Sequence, residues 1–484
     1  MAFIGLFFMT RYLGADVYGS VSWAMAFVAT FNSLADLGFG AAHVKRVSEG
    51  KDIDDCVSTY SILKIVLTAV MVISVLASIL IWASFTGEWY SSTTYEVIVL
   101  FILYYVFYDI AGIATATFDA KVETASTQLS VFMDPIVRIP LVVFVSINRM
   151  STVHLAYAYV LAGLAVAIVS LVLLSRKKLY FCRPTLIKSY LAFAFPIALV
   201  SVMGAISGNA DRLLIGLFWS DAQVGYYTAS QSFLGLFAVI GTAVSTLAFP
   251  TFSKFHAEGK LEEIREKTRA AERYISMLSM PIVALILLFP KEIALVVLGS
   301  LFESSAGPLR FLAVSMLLNL LNGVYASQIN AVNRPDISAK LTLLSLAVNL
   351  SLLAIFIPTS IFGVEMLGLS ATGAAIANMI GVAVLFVATR LIATRLTGTT
   401  SNPRILIHIL AGVVTGIGLL GLANFWTITR WFDLIGYGLI SVGIFGVVLY
   451  ALRELKTQDI KFFMSVINPK EMKEYISSEF KRKK

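Results

Sequence analysis

Long apolar runs separated by short polar breaks fill this chain from end to end. Thirteen of them have the length of a bilayer span, for which about 20 mostly apolar residues are needed: 17–41, 59–84, 95–117, 125–147, 152–175, 190–219, 224–249, 274–298, 306–329, 338–358, 368–394, 404–424 and 431–452. Each predicts a transmembrane helix. Residues 1–10 add an apolar fragment ahead of the rest, which at about 1.5 Å per residue covers half of a ~30 Å hydrocarbon core. No basic residue precedes that fragment and no small-residue cleavage site follows it, so it is not patterned as a signal peptide. The sequence is then expected to begin late or to have a shortened first helix, and the late start is favoured.

One polar break is used twice. The chain reads Tyr12-Leu-Gly-Ala-Asp16-Val-Tyr18-Gly19 before the first full run, and Phe218-Trp-Ser-Asp221-Ala-Gln-Val224-Gly225-Tyr226 before another. A shift of 206 positions matches Gly19 with Gly225, Phe27 with Phe233 and Phe31 with Phe237. Internal duplication of this kind is a recurrent design of membrane transporters, and it predicts two related halves. The second copy follows a span of full length, whereas the first follows the short fragment.

Composition agrees with the pattern: 58% of residues are hydrophobic and 14% charged, with a mean hydropathy of +0.84. Soluble proteins carry roughly 25% charged residues. Numbering the fragment as helix 1, most of the 37 Lys and Arg residues fall in the connections after the even-numbered helices. By the positive-inside rule those connections and both termini are expected in the cytoplasm. The net charge of +8 is therefore chiefly a topology signal. The tail ending Lys481-Arg-Lys-Lys484 is expected to touch anionic headgroups.

No zinc spacing, aromatic-basic platform, P-loop, HExxH or GxSxG pattern is present, so no nucleic-acid partner, metal, cofactor or catalytic residue is expected. Cys56 and Cys182 both fall in expected cytoplasmic connections, where no disulfide forms. The outward connections are all short, leaving no room for a catalytic outer domain. The longest cytoplasmic insertion, 253–273, mixes both signs of charge and reads as a solvated helix.

Charges inside spans are costly, about 2.5–3.5 kcal/mol at a helix centre, so they should face a cavity or a partner. Candidates are Lys64, Asp109, Asp134, Arg138, Asp211 and Arg212. Asp134 and Arg138 stand one helical turn apart, which suits a structural ion pair as well as a site. Lys64 and Arg212 also suit snorkelling to a headgroup. Gly204 and Gly208 leave one face beside Arg212 open to a neighbour or a cavity. Tyr104, Tyr105 and Tyr108 suit sugar stacking or an interfacial belt. Ser338, Thr342, Ser345 and Asn349 draw a polar stripe down one later helix, for helix pairing or a wet path. The four histidines receive no role.

The stretch Asp211-Arg212-Leu-Leu-Ile-Gly216 through Val224-Gly225-Tyr226-Tyr227 resembles the seventh-helix signature of the polysaccharide biosynthesis proteins, the Wzx-type oligosaccharide flippases. Arg11 to Gly19 with Leu34-Ala-Asp36-Leu-Gly38 is similar to that family's opening, and Asn330 to Pro335, Asn349, Pro358 and Gly373 to Ala377 resemble its later helices. The resemblance implies an all-α polytopic membrane protein of the multidrug and lipid-flippase exporter superfamily: two six-helix lobes about a central cavity, then two extra helices. The expected divisions are an N-terminal lobe at 1–175, a basic linker at 176–189, a C-terminal lobe at 190–397, two helices at 398–452 and a tail at 453–484. The implied activity is flipping of a lipid-linked oligosaccharide across the cell membrane, alongside glycan polymerase, ligase or transferase partners. Arg138, Arg212 and Lys64 are the expected phosphate contacts, with Asp109, Asp134, Asp211 and Asn349 as cavity or coupling groups. A multidrug exporter, or a membrane glycosyltransferase or polymerase, is the alternative.

Overall fold

The computed structural model describes residues 2–86, 91–177, 179–400, 402, 404–456 and 459. The tail beyond that point, with its terminal Lys-Arg-Lys-Lys, lies outside the described residues. Helices α1 (Ala2–Tyr12), α2 (Ala15–Asn32), α3 (Phe39–Ser48), α4 (Ile53–Thr86), α5 (Ser92–Ala120), α6 (Thr124–Ile147) and α7 (Thr152–Ser175) are followed by α8 (Ile187–Phe218), α9 (Asp221–Ala257) and α10 (Leu261–Leu288). After the short α11 (Pro290–Ile293) come α12 (Ala306–Ala331), α13 (Pro335–Phe356), α14 (Ser370–Thr397), α15 (Arg404–Ala423) and α16 (Trp431–Ala451). A two-stranded hairpin, Ser360–Ile361 with Val364–Glu365, joins α13 to α14.

The apolar runs fall on helices, though the one expected at 274–298 is cut at Phe289, where α10 ends and α11 begins; among the described residues ten helices are long and apolar enough to cross a membrane, or eleven if the bent pair α2–α3 is one span. The chain is an all-α polytopic membrane protein.

The run predicted at 17–41 is not one straight helix. It bends by 43° between α2 and α3. Leu37 and Gly38 take φ of +44° and +84° there, and a Cβ on Gly38 would press on Ile197 at 2.7 Å. Asp36 holds the restart by accepting the Gly38 and Gly40 amides at 3.2 and 3.1 Å, a capping role that leaves its side chain near the axis of the break. The Ala35 carbonyl, released by the bend, accepts Lys64 Nζ at 3.0 Å. An unpaired carbonyl in an apolar layer would otherwise cost several kcal/mol.

The chain divides into two compact units. The first comprises 1–236, 297–312 and 344–381. In it α5 packs along α7, where Gly163 lets the Tyr104 ring come within 3.1 Å of a built Cβ. A core of Phe39, Tyr60, Phe118 and Tyr190 surrounds His43, whose two ring nitrogens meet Tyr190 and Thr117 at 3.0 Å each. The segment before α8 is strapped to α4: Asp54 accepts the Tyr180 amide at 3.1 Å, Asp55 the Thr185 amide at 2.9 Å and Ser58 the Cys182 amide at 2.9 Å.

The twice-used pattern forms the tightest contact in this unit. A Cβ on Gly19 would overlap the Asp221 carbonyl, and a Cβ on Gly225 would overlap the Ala15 carbonyl. Glycine is required at both positions because α2 and α9 cross backbone to backbone. The Trp23 indole fills the space beside Gly216, with Nε1 donating to the Leu213 carbonyl at 3.4 Å, and Phe302 sits edge-on between Tyr18 and Tyr226.

The second unit comprises 237–296, 313–343 and 382–484. Here α15 and α16 pack on α10 around Met277, Ala411, Phe445 and Leu449. An apolar cleft of about 390 Å³ runs along α10 and α15, lined by Leu287, Leu288, Val413 and Ile417 among others. The end of the 253–273 insertion departs from the solvated helix expected of it, because Glu272 and Arg273 are buried. Glu272 lies 3.0 Å from Arg390. Arg273 grips Glu454 through Nε at 2.5 Å and both oxygens of Asp459 at 2.8 and 2.7 Å, and His408 bonds Ser276 at 2.6 Å beside it.

Hydrogen bonds from Arg273 hold the Asp459 carboxyl well below the usual carboxylate range. A depressed folded value adds stability above the unfolded value, so the clamp is complete at neutral pH and is lost only as pH falls through the lowered one. Arg273→Ala is expected to destabilise the chain by about 3–5 kcal/mol, since buried Asp459 loses its guanidinium and Glu454 is left with the longer contact to Arg404 at 3.4 Å. A lowered unfolding temperature in detergent checks this; an unchanged one would mean the clamp is solvated in the folded protein.

Candidate functional site

Polar side chains gather in the first unit around a cluster of tyrosines. Asp134 and Arg138 face the same way because one turn of α6 separates them. Arg138 Nη2 lies 2.6 Å from Asp134 Oδ2, and its guanidinium stacks 5.0 Å over the Tyr159 ring of α7. Tyr159 meets Tyr104 edge-on at 6.0 Å, and Tyr104 in turn contacts Tyr105 at 5.2 Å and Tyr108 at 4.8 Å. The three tyrosine candidates on α5 therefore share one aromatic wall with a residue from α7. Asp134 is nearly covered, while the Arg138 side chain keeps 28% of its surface and so is reachable.

Arg212 lies on α8, where its guanidinium meets Gln231 of α9 and the Gly208 carbonyl. Tyr18 and Tyr105 both lie within its electrostatic reach, and both also sense Tyr159. Its Nη2 donates to Gln231 Oε1 on α9 at 3.0 Å. Asp211 is turned away from it: Oδ2 accepts the Tyr227 hydroxyl at 2.5 Å and Oδ1 the Arg212 backbone amide at 2.8 Å. Among the described residues no carboxylate stands within 4.0 Å of the Arg212 guanidinium. A Cβ on Gly208 or Gly204, one and two turns before it, would meet open space, so no close neighbour packs on that face.

The remaining candidates lie apart. Lys64 pairs with Asp109 at 2.8 Å and stands 4.0 Å from Asp36 at the α2–α3 bend, and Thr68 donates to Asp109 at 3.1 Å. Both Lys64 and Asp109 are buried. Asn349 packs on Gly381 of α14, whose carbonyl accepts the Ser345 hydroxyl at 2.8 Å, so this part of the polar stripe joins two helices. Thr342, further along it, is exposed and bonds its own helix at Ser338.

Sequence reasoning passed over Tyr159 and Gln231, and gave Tyr227 no role beyond its place in the signature stretch. Tyr159 sits unmarked inside an apolar run, while Gln231 and Tyr227 follow the second copy of the repeat without any spacing that singles them out. The arrangement offers one cation whose charge is not cancelled, a second cation shared with a carboxylate, and aromatic faces beside both. That set suits an anionic group attached to a ring that stacks, such as a sugar phosphate.

A family model described as polysaccharide biosynthesis protein matches residues 8–307. The protein of Haloferax volcanii named probable low-salt glycan biosynthesis flippase Agl15 is 24% identical over 387 residues, which is 79% of this chain and 78% of that protein. Among solved structures, the lipid II flippase MurJ in an inward closed conformation superimposes with a TM-score of 0.70 at 14% identity, over 93% of this chain and 97% of that one. A multidrug resistance MATE family transporter in an inward-facing conformation gives 0.65 at 17% identity, over 82% and 95%. At these identities the two structures speak for the fold.

Proposed function

Since the chain belongs to the polysaccharide biosynthesis protein family, we propose that it is a flippase carrying a lipid-linked oligosaccharide from the inner to the outer leaflet of the cell membrane, with both termini in the cytoplasm. The Haloferax relative's name and the MurJ-like fold support the reading. The single observation that carries it is Arg212, a cation beside a tyrosine wall with an amide and no carboxylate for a partner. A phosphate or diphosphate would bind there through charge-assisted hydrogen bonds, helped by Arg138, while sugar rings stack on Tyr105 and Tyr108. Lys64, the third candidate, is already engaged by Asp109 and the Ala35 carbonyl.

An exporter of amphipathic cations would need the opposite sign at this place. Asp134 and Asp211 are both occupied, by Arg138 and Tyr227. A glycosyltransferase would need reachable carboxylates, and these two are not.

The lobes at 1–175 and 190–397 would alternate their access, the headgroup crossing inside and the lipid tail remaining in the bilayer. The α10–α15 cleft, lined by apolar side chains, suits a hydrocarbon chain. An inside-negative potential favours outward movement of an anion by ~2.3 kcal/mol per charge per 100 mV, so no ATP is required. Coupling through Asp109 would first have to break its pair with Lys64. Flipping that ignores ion gradients and survives Asp109→Asn would remove such coupling.

Deletion of the gene tests the proposal. Accumulation of a completed lipid-linked glycan in the inner leaflet is expected, and accumulation of an incomplete glycan would point to an enzyme instead. Alternating access also requires α2 and α9 to part. Gly19→Leu is expected to expose Ser22, now buried, to a thiol reagent when it is made cysteine in a chain lacking Cys56 and Cys182. Continued protection at full folding would show that the crossing does not open.

A further inference from the structure

We infer that Gln231 and Tyr227 are positioning residues that keep the Arg212 charge available to an anionic headgroup, an inference that rests on the flippase reading above. A guanidinium in a low-dielectric place normally ends beside a carboxylate, and Asp211 is the adjacent residue. Two contacts prevent that. Tyr227, wholly buried on α9, gives its hydroxyl proton to Asp211 Oδ2 at 2.5 Å and ties the carboxylate to α9. Gln231, one turn further along α9, fills the remaining place with an amide oxygen 3.0 Å from Arg212 Nη2.

The guanidinium has donors only, so the amide must turn its oxygen towards it. That contact fixes the side chain's direction and leaves its charge intact. Because 227 and 231 are four residues apart, both stand on one face of α9 towards α8. Nε of Arg212, buried and without a hydrogen-bond partner, remains for the ligand.

The substrate feature recognised is thus a group with at least one full negative charge, a phosphate or diphosphate on the lipid, rather than the sugar hydroxyls. Gln231→Glu keeps shape and adds a carboxylate 3 Å from Arg212. Tyr227→Phe removes the hydroxyl and releases Asp211 to turn on Arg212. Each is expected to cancel the charge from a different side.

The test measures binding of farnesyl diphosphate, with farnesol as the uncharged control, to the purified full chain in detergent. Gln231→Glu and Tyr227→Phe are each expected to weaken diphosphate binding about tenfold or more, the worth of a charge-assisted bond, and to leave farnesol binding unchanged. Adding Asp211→Asn to Tyr227→Phe is expected to restore the diphosphate affinity. A Tyr227 that merely packs would not be rescued by neutralising Asp211, so failure of rescue with folded protein overturns the inference. So does undiminished binding by Gln231→Glu. If the unaltered chain binds the diphosphate no better than farnesol, the anion-site reading fails first. Should Gln231→Glu not fold, the Tyr227→Phe pair decides alone.

Discussion

Arg138→Gln lowers transport at least tenfold, and Asp134→Asn added to it does not bring transport back: this is the expected result if Arg138 meets the substrate. The pair is 2.6 Å apart with Asp134 nearly covered, so losing the guanidinium alone leaves a carboxylate buried without its counter-charge. Breaking such a pair typically costs about 3–5 kcal/mol. Stability should therefore fall in the single variant and return in the double one. Transport should fall at least tenfold in both, because a charge-assisted bond to phosphate, roughly 1.5–3 kcal/mol, is missing from each. Flipping of a fluorescent lipid-linked glycan in proteoliposomes, read beside unfolding temperature, separates the two effects. Recovery of transport together with stability in the double variant would make the pair purely structural.

The second large effect is expected at Lys64 and has the opposite character. Its amine bonds Asp109 and the Ala35 carbonyl and stands 4.0 Å from Asp36, so its charge is already matched by carboxylates before any ligand arrives. Lys64→Met should cost about 3–5 kcal/mol by stranding Asp109. Lys64→Met with Asp109→Leu should regain the part due to Asp109 and stay short by about 2–3 kcal/mol for the Ala35 carbonyl left unbonded. Binding of farnesyl diphosphate by the double variant should match the unaltered chain. Full stability in Lys64→Met with binding lost would reassign the residue to the substrate.

These two pairs also show what a sequence can disclose. Asp134 and Arg138 were legible because a helix puts residues four apart on one face. Lys64 and Asp109 were not, since they meet across α4 and α5, and only the bend at Gly38 explains why a lysine is needed there. The spans themselves were legible because a membrane core demands long apolar runs with every backbone group bonded internally. That same demand hid the α2–α3 break, where the missing bonds are supplied by Asp36 and by a lysine twenty-nine residues later. The charged insertion misled at its end, because Glu272 and Arg273 continue a polar pattern while their partners, Arg390, Glu454 and Asp459, lie more than a hundred residues away. Arg212 was legible only as a candidate behind Arg138, and its chemistry depends on an uncharged glutamine that no charge count can reveal.

The crossing of α2 and α9 carries one more consequence. Under the shift of 206, Ala15 corresponds to Asp221 and Gly19 to Gly225, so each member of the contact touches the counterpart of its own neighbour. That is the contact rule of an isologous twofold interface, in which residue i meets j and j meets i. A half-length ancestor with one copy of the pattern would have closed on a second copy of itself by this same glycine face. Under the same shift Arg212 on α8 corresponds to Leu6 on α1, so the two halves share the contact face and differ in the charge beside it. Two separately expressed halves, split in the segment before α8, should accordingly find each other in the membrane through this glycine face.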